Sequence, residues 1–89
     1  MNKKIALKPH ETRGQDIIKI LEEIGGVNAD EHKGNLPIEC DSAYYIYGDS
    51  TIQFARIDYL SKLDYKIYTL DEYDDKFSQF KSFITIKKI

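Results

Sequence analysis

Cys40-Asp41-Ser42-Ala43-Tyr44-Tyr45-Ile46-Tyr47-Gly48-Asp49-Ser50-Thr51-Ile52-Gln53-Phe54-Ala55-Arg56-Ile57 is the stretch that decides the fold. Residues 40–47 read as a strand, with Ala43, Tyr45 and Tyr47 on one face and Ser42, Tyr44 and Ile46 on the other. Gly48-Asp49 puts glycine at the first central position of a two-residue turn, as a type II′ turn requires, and residues 51–57 continue as the return strand. The segment predicts a hairpin. Because successive strand residues face opposite ways, Tyr44, Tyr45 and Tyr47 cannot all be buried on one side. Unless both faces of the sheet are covered, at least one ring is exposed.

Upstream, Thr12-Arg13-Gly14-Gln15 fits a capping box, and Ile17, Ile18, Leu21 and Ile24 form one apolar stripe. Gly25-Gly26 supplies a helix stop, so a helix is predicted over residues 13–24. Residues 27–39, with Asn28, Asp30, Gly34, Asn35 and Pro37, read as a long loop. Downstream, a polar stretch over residues 58–64 leads to a short strand at residues 65–68. Thr69-Leu70-Asp71-Glu72 is a second capping box opening a short helix, and residues 80–89 read as a last strand. Residues 4–8 read as an extended segment lying beside that last strand. The expected architecture is a single α+β domain over residues 1–89: one long amphipathic helix packed on a small antiparallel sheet, with a short second helix before the last strand.

A chain of 89 residues is one domain's worth, and 42% apolar with 12% aromatic content is that of a folding chain. The formal charge of −2 excludes a generally basic nucleic-acid binder, yet the charge is uneven. Residues 1–15 carry four bases against one acid and residues 76–89 four lysines and no acid. Residues 16–31 carry five acids against one lysine, and residues 58–75 six against two. If the basic ends pair as neighbouring strands, the molecule has a basic edge and an acidic face. Cys40 is the only cysteine, so no intrachain disulfide forms. Met1-Asn2-Lys3-Lys4-Ile5-Ala6-Leu7 is too short and polar for a signal peptide, and no apolar run suits a membrane span. The expectation is a soluble cytoplasmic protein.

Local signatures of chemistry are few. His10, His32 and Cys40 are too scattered for a metal site, and Asp71, Glu72, Asp74 and Asp75 point in different directions on a helix. No cofactor is called for. Cys40 is flanked by Glu39 and Asp41, whose negative charge raises a thiol's pKa and so weakens it as a nucleophile. A small hydrolase or nuclease using acids and His32 is a third reading without a spacing to carry it. Gly25-Gly26 closes a helix where a phosphate loop opens one, and the acids beside Tyr44, Tyr45 and Tyr47 disfavour a nucleic-acid backbone.

Seven tyrosines are the unusual feature. Tyrosine brings contact area at low entropy cost and is enriched at interfaces, although phenol rings also sit half-buried with only the hydroxyl in water. Tyr44, Tyr47, Tyr65 and Tyr73, with Asp71, Asp74 and Asp75, are the candidate partner-binding residues.

Arg13-Gly14-Gln15-Asp16-Ile17-Ile18, Gly25-Gly26-Val27-Asn28, Tyr44-Tyr45-Ile46 and Tyr68-Thr69-Leu70-Asp71-Glu72-Tyr73 together resemble a group of small uncharacterised α+β proteins encoded by phages and mobile elements of gut-type bacteria. The resemblance covers roughly residues 12–77 and brings no catalytic residues with it. It implies an accessory gene. The expected function is a non-enzymatic accessory protein that binds and modulates a host or defence protein through a tyrosine-rich acidic face. The alternative is a self-assembling structural protein, a homodimer pairing through its C-terminal strand.

Overall fold

The computed structural model describes residues 4–76. The hairpin stands as expected, with β2 (Ser42–Ile46) antiparallel to β3 (Ile52–Arg56) in a register that pairs Tyr44 with Phe54 and Tyr45 with Gln53. Its turn differs. Tyr47 C=O accepts from the Ser50 N–H at 2.8 Å, and the left-handed position falls on Ser50 (φ 73°), not on Gly48. The loop has three residues and needs its positive φ at the third. Asp49 explains why serine is tolerated there: its Oδ1 accepts from both the N–H (3.0 Å) and the hydroxyl (2.6 Å) of Thr51, fastening the loop from its own side chain.

The sheet order is β3-β2-β1-β4, with β1 (Ile5–Leu7) antiparallel to β2 and parallel to β4 (Lys66–Tyr68). The sheet is therefore mixed, which corrects the antiparallel expectation. The chain reaches β4 by crossing from β3 through α2 (Ile57–Lys62), and a strand laid down after such a crossover can run parallel. Residues 5–7 are thus interior to the sheet. The last strand expected over residues 80–89, and its pairing with residues 4–8, lie outside the described residues.

Helix α1 (Gly14–Glu23) is shorter than the residues 13–24 expected, and its apolar stripe faces the sheet. Its N-terminus is held differently from the Thr12 capping box. The cap position is Arg13 and makes no side-chain cap bond; the ring Nδ1 of His10 instead accepts the backbone N–H groups of Thr12 and Arg13, each at 3.1 Å, and so orders the two residues that lead into the helix. At the other end Gly26 N–H donates to Leu21 C=O (2.8 Å) and Gly25 N–H to Glu22 C=O (3.1 Å), with Gly25 at φ 112°. That is a Schellman stop, as the glycine pair predicts.

Helix α2 occupies residues read as a polar loop. It too ends in a Schellman pair, Tyr65 N–H to Leu60 C=O (3.0 Å) and Asp64 N–H to Ser61 C=O (3.1 Å), with Asp64 at φ 67°. A third helix, α3, opens at residue 70 and is described through residue 76. Its capping box is as expected: Thr69 N–H donates to Glu72 Oε1 (2.8 Å), and Glu72 N–H to Thr69 Oγ1 (3.1 Å).

The helices lie on both faces of the sheet. Leu7, Tyr44, Ile46 and Ile52 form one core with Ile17, Ile18 and Leu21 of α1 and Leu70 of α3. Ala6, Ala43 and Tyr45 form a second, smaller core with Leu60 of α2. Every residue of β2 is consequently buried, which is how Tyr44 and Tyr45 enter the interior from opposite sides. The loop before β2 is tied to the start of α1, where a Cβ on Gly14 would lie 2.3 Å from Lys33 O. No side chain fits at that crossing. Among the described residues no helix is long and apolar enough to cross a membrane.

Candidate functional site: a tyrosine cluster on the α2 face

The smaller core opens at one end of the sheet into a group of phenol rings. Tyr45 is its hub. Its ring meets Tyr65 edge-to-face (centroids 5.2 Å, 81°) and Tyr47 likewise (6.4 Å, 78°). Such geometry sets the positive ring edge against the negative face, which favours the arrangement beyond simple burial. Tyr65 is delivered by the Schellman stop of α2, and its hydroxyl donates to Ile46 C=O at 3.0 Å, locking the ring against β2. On the face of Tyr65 sits the Lys4 ammonium, 4.8 Å from the centroid, which also donates to Leu63 C=O at 2.8 Å. Tyr59 on α2 lies close enough for its phenol to act electrostatically on both Tyr45 and Tyr65. Tyr45 is buried, whereas Tyr47 is 53% and Tyr59 50% exposed.

The electrostatics follow from this packing. Burial pushes the Tyr45 hydroxyl above its ordinary range, and the neighbouring Tyr59, Tyr65 and Tyr47 and the Asp49 carboxylate add to the shift. Burial does the same to Tyr65. Asp49 is held below the usual carboxylate range by the Thr51 hydroxyl and N–H, and Asp58 by the Tyr59 N–H and then Arg56. Both acids are charged at neutral pH. They differ in company, since Asp58 has Arg56 Nε at 3.4 Å while no base among the described residues pairs with Asp49. Tyr45, Tyr47, Asp49 and Gln53 line an open cleft of about 290 Å³.

The seven candidate residues do not form one face. Tyr44 is 4% exposed, packed on Phe54 (4.4 Å) and His32 (5.3 Å) inside the α1 core, and is unavailable to a partner. Tyr47 and Tyr65 belong to the α2 face. Tyr73, with Tyr68 at 6.3 Å, packs against the α1 core, and Asp71, Asp74 and Asp75 are exposed along α3. Tyr47 and Tyr65 are therefore on the opposite side of the sheet from the acidic run and from Tyr44 and Tyr73, because α2 and α3 cover different faces. Asp74 also receives Arg13 Nη2 at 3.5 Å, joining α3 to the start of α1.

Tyr59, Tyr45, Asp49 and Gln53 are not among the partner-binding residues expected from the sequence. Ile57 and Leu60, three apart with Asp58 in the first turn, were the available signal for α2 and hence for Tyr59. A second cavity, about 280 Å³, lies between α1 and the loop and is lined by Gln15, Ile18, Glu22, Asn28, His32 and Lys33. His32 Nε2 is buried there without a hydrogen bond among the described residues, its nearest carboxylate being Asp30 Oδ2 at 3.9 Å. No group of three or more His, Cys, Asp or Glu among the described residues is arranged to hold a metal ion.

Comparison with protein-family models, with curated proteins and with solved structures finds no match for the chain, and its functional reading rests on the site itself.

Proposed function

We propose that the protein is a non-enzymatic binding module, an accessory protein of a phage or mobile element that acts in the cytoplasm by docking a host or defence protein on its α2 face. The observation that carries this reading is the tyrosine cluster: two half-exposed rings, Tyr47 and Tyr59, stand on two immobilised ones, Tyr45 and Tyr65. Rings fixed before contact lose little freedom on binding, so more of their buried area appears as affinity. The Asp49 carboxylate beside Tyr45 and Tyr47 favours a partner with a basic surface. The acidic run of α3, on the other side of the sheet, is not part of this docking face.

The test is affinity capture from host lysate with the wild type, a Tyr47→Ser, Tyr59→Ser variant, and an Asp71→Asn, Asp75→Asn control. A specific partner should be retained by the wild type and the control and reduced at least about tenfold by the tyrosine variant, as loss of interface anchors implies. Equal retention by all three ends this reading. The self-assembly alternative rests on residues 77–89, outside the described residues, and light scattering of the purified protein decides it: a strict monomer at high concentration removes it.

A further inference from the structure

Within the tyrosine face, the cleft between Tyr45, Tyr47, Asp49 and Gln53 has a composition that selects a ligand. We infer that it is a seat for a single cationic side chain, arginine in preference to lysine, presented by the partner. The inference rests on the docking face proposed above and names the chemistry of what that face receives.

Three features converge. Asp49 is charged and, unlike Asp58 and Asp16, has no lysine or arginine of the described residues beside it. Its Oδ1 is oriented by two bonds from Thr51, so the carboxylate is held before any ligand arrives. Gln53 is oriented as well: its Nε2 donates one N–H to Thr51 Oγ1 at 3.0 Å, which fixes the amide plane and identifies Oε1 as the acceptor end. Thr51 thus fixes two acceptors at once, Asp49 directly and Gln53 through its own hydroxyl.

The third feature is the pair of rings. Tyr45 and Tyr47 meet at 78°, and Tyr47 is 53% exposed with no ammonium or guanidinium of the described residues over its ring. The same surface already shows how it treats a cation, because Lys4 lies 4.8 Å over Tyr65. A carboxylate, a side-chain amide and two phenol rings lining one cleft of about 290 Å³ match a planar group with several donors and a delocalised charge. Guanidinium fits that description better than ammonium, whose three donors are more strongly hydrated.

The experiment is a backbone-amide NMR titration of the full chain with N-acetyl-arginine amide, with the lysine and norleucine amides as comparators. Saturable shifts confined to residues around 45, 47, 49 and 53 are expected with arginine, weaker ones with lysine and none with norleucine. Asp49→Asn keeps a carbonyl oxygen for Thr51 while removing the charge, and should weaken arginine binding about tenfold. Tyr47→Leu keeps apolar bulk and removes the π face, and should weaken it about threefold. Absence of saturable shifts, shifts elsewhere, equal response to norleucine, or unchanged affinity in Asp49→Asn would each overturn the inference. The two proposals fail separately: arginine silent with Tyr47 and Tyr59 still required for capture removes the seat alone, and arginine bound with capture indifferent to those tyrosines removes the docking role alone.

Discussion

Ser50 and Asp64 hold backbone angles that suit glycine, at φ 73° and 67°. Each closes a different structure, the hairpin loop and the Schellman stop of α2, and each carries a Cβ that crowds the backbone in that region. Ser50→Gly and Asp64→Gly are each expected to raise stability by about 0.5–1 kcal/mol, the relief of strain outweighing the greater freedom of glycine in the unfolded chain. Urea midpoints measured at constant slope check this, and a lower midpoint for either variant refutes it for that position. Neither position was readable in advance. Gly48 is the residue that suggests a left-handed turn, yet the extra loop residue moves that requirement to Ser50, and only the registered pairing of Ile46 with Ile52 reveals it.

Helix ends show which local signals carry through. The Thr69–Glu72 box formed as read because both of its partners lie within one turn and nothing else competes for them. The Thr12 box did not, since the cap position falls on Arg13 and His10 takes the Thr12 N–H that Gln15 would need. A histidine that folds back on the residues before a helix has no sequence signature comparable to serine or threonine caps. Loss of both His10 bonds in His10→Ala is expected to destabilise the fold by about 1 kcal/mol and Thr12→Ala to stay within about 0.5 kcal/mol, read from the same urea midpoints. The reverse order would restore the threonine cap. Helix α2 was missed for another reason: its six residues leave room for one buried anchor, Leu60, and a single turn of apolar spacing does not stand out from a polar loop. With α2 went the recognition that the sheet has two covered faces, and with that the location of the tyrosine cluster.

At the scale of the whole molecule, the tyrosines bind stability to alkaline pH. Burial raises the hydroxyls of Tyr44, Tyr45, Tyr65 and Tyr73 above their ordinary range. In the unfolded chain these phenols ionise near pH 10, whereas in the folded protein they remain neutral to higher pH. Their contribution is therefore complete below about pH 10 and declines as pH rises through the folded values. Urea midpoints should be level between pH 7 and about 9 and fall by pH 10.5, and Tyr45→Phe should flatten the fall. An unchanged midpoint at pH 10.5 would show that the rings ionise equally in both states. The α+β class, the hairpin and two of the helices were readable from local spacing. The parallel pairing of β1 with β4 was not, because it joins Ile5 to Lys66 across most of the chain and no periodicity encodes such a partner. That pairing imposes an order on biosynthesis. Strand β1 leaves the ribosome about sixty residues before β4, a delay of roughly 3–12 s at ordinary elongation rates, and through that time one edge of Ile5-Ala6-Leu7 has no strand to meet. The nascent chain carries its most apolar strand with a flank open to chaperones until the far end of the sheet arrives to close it.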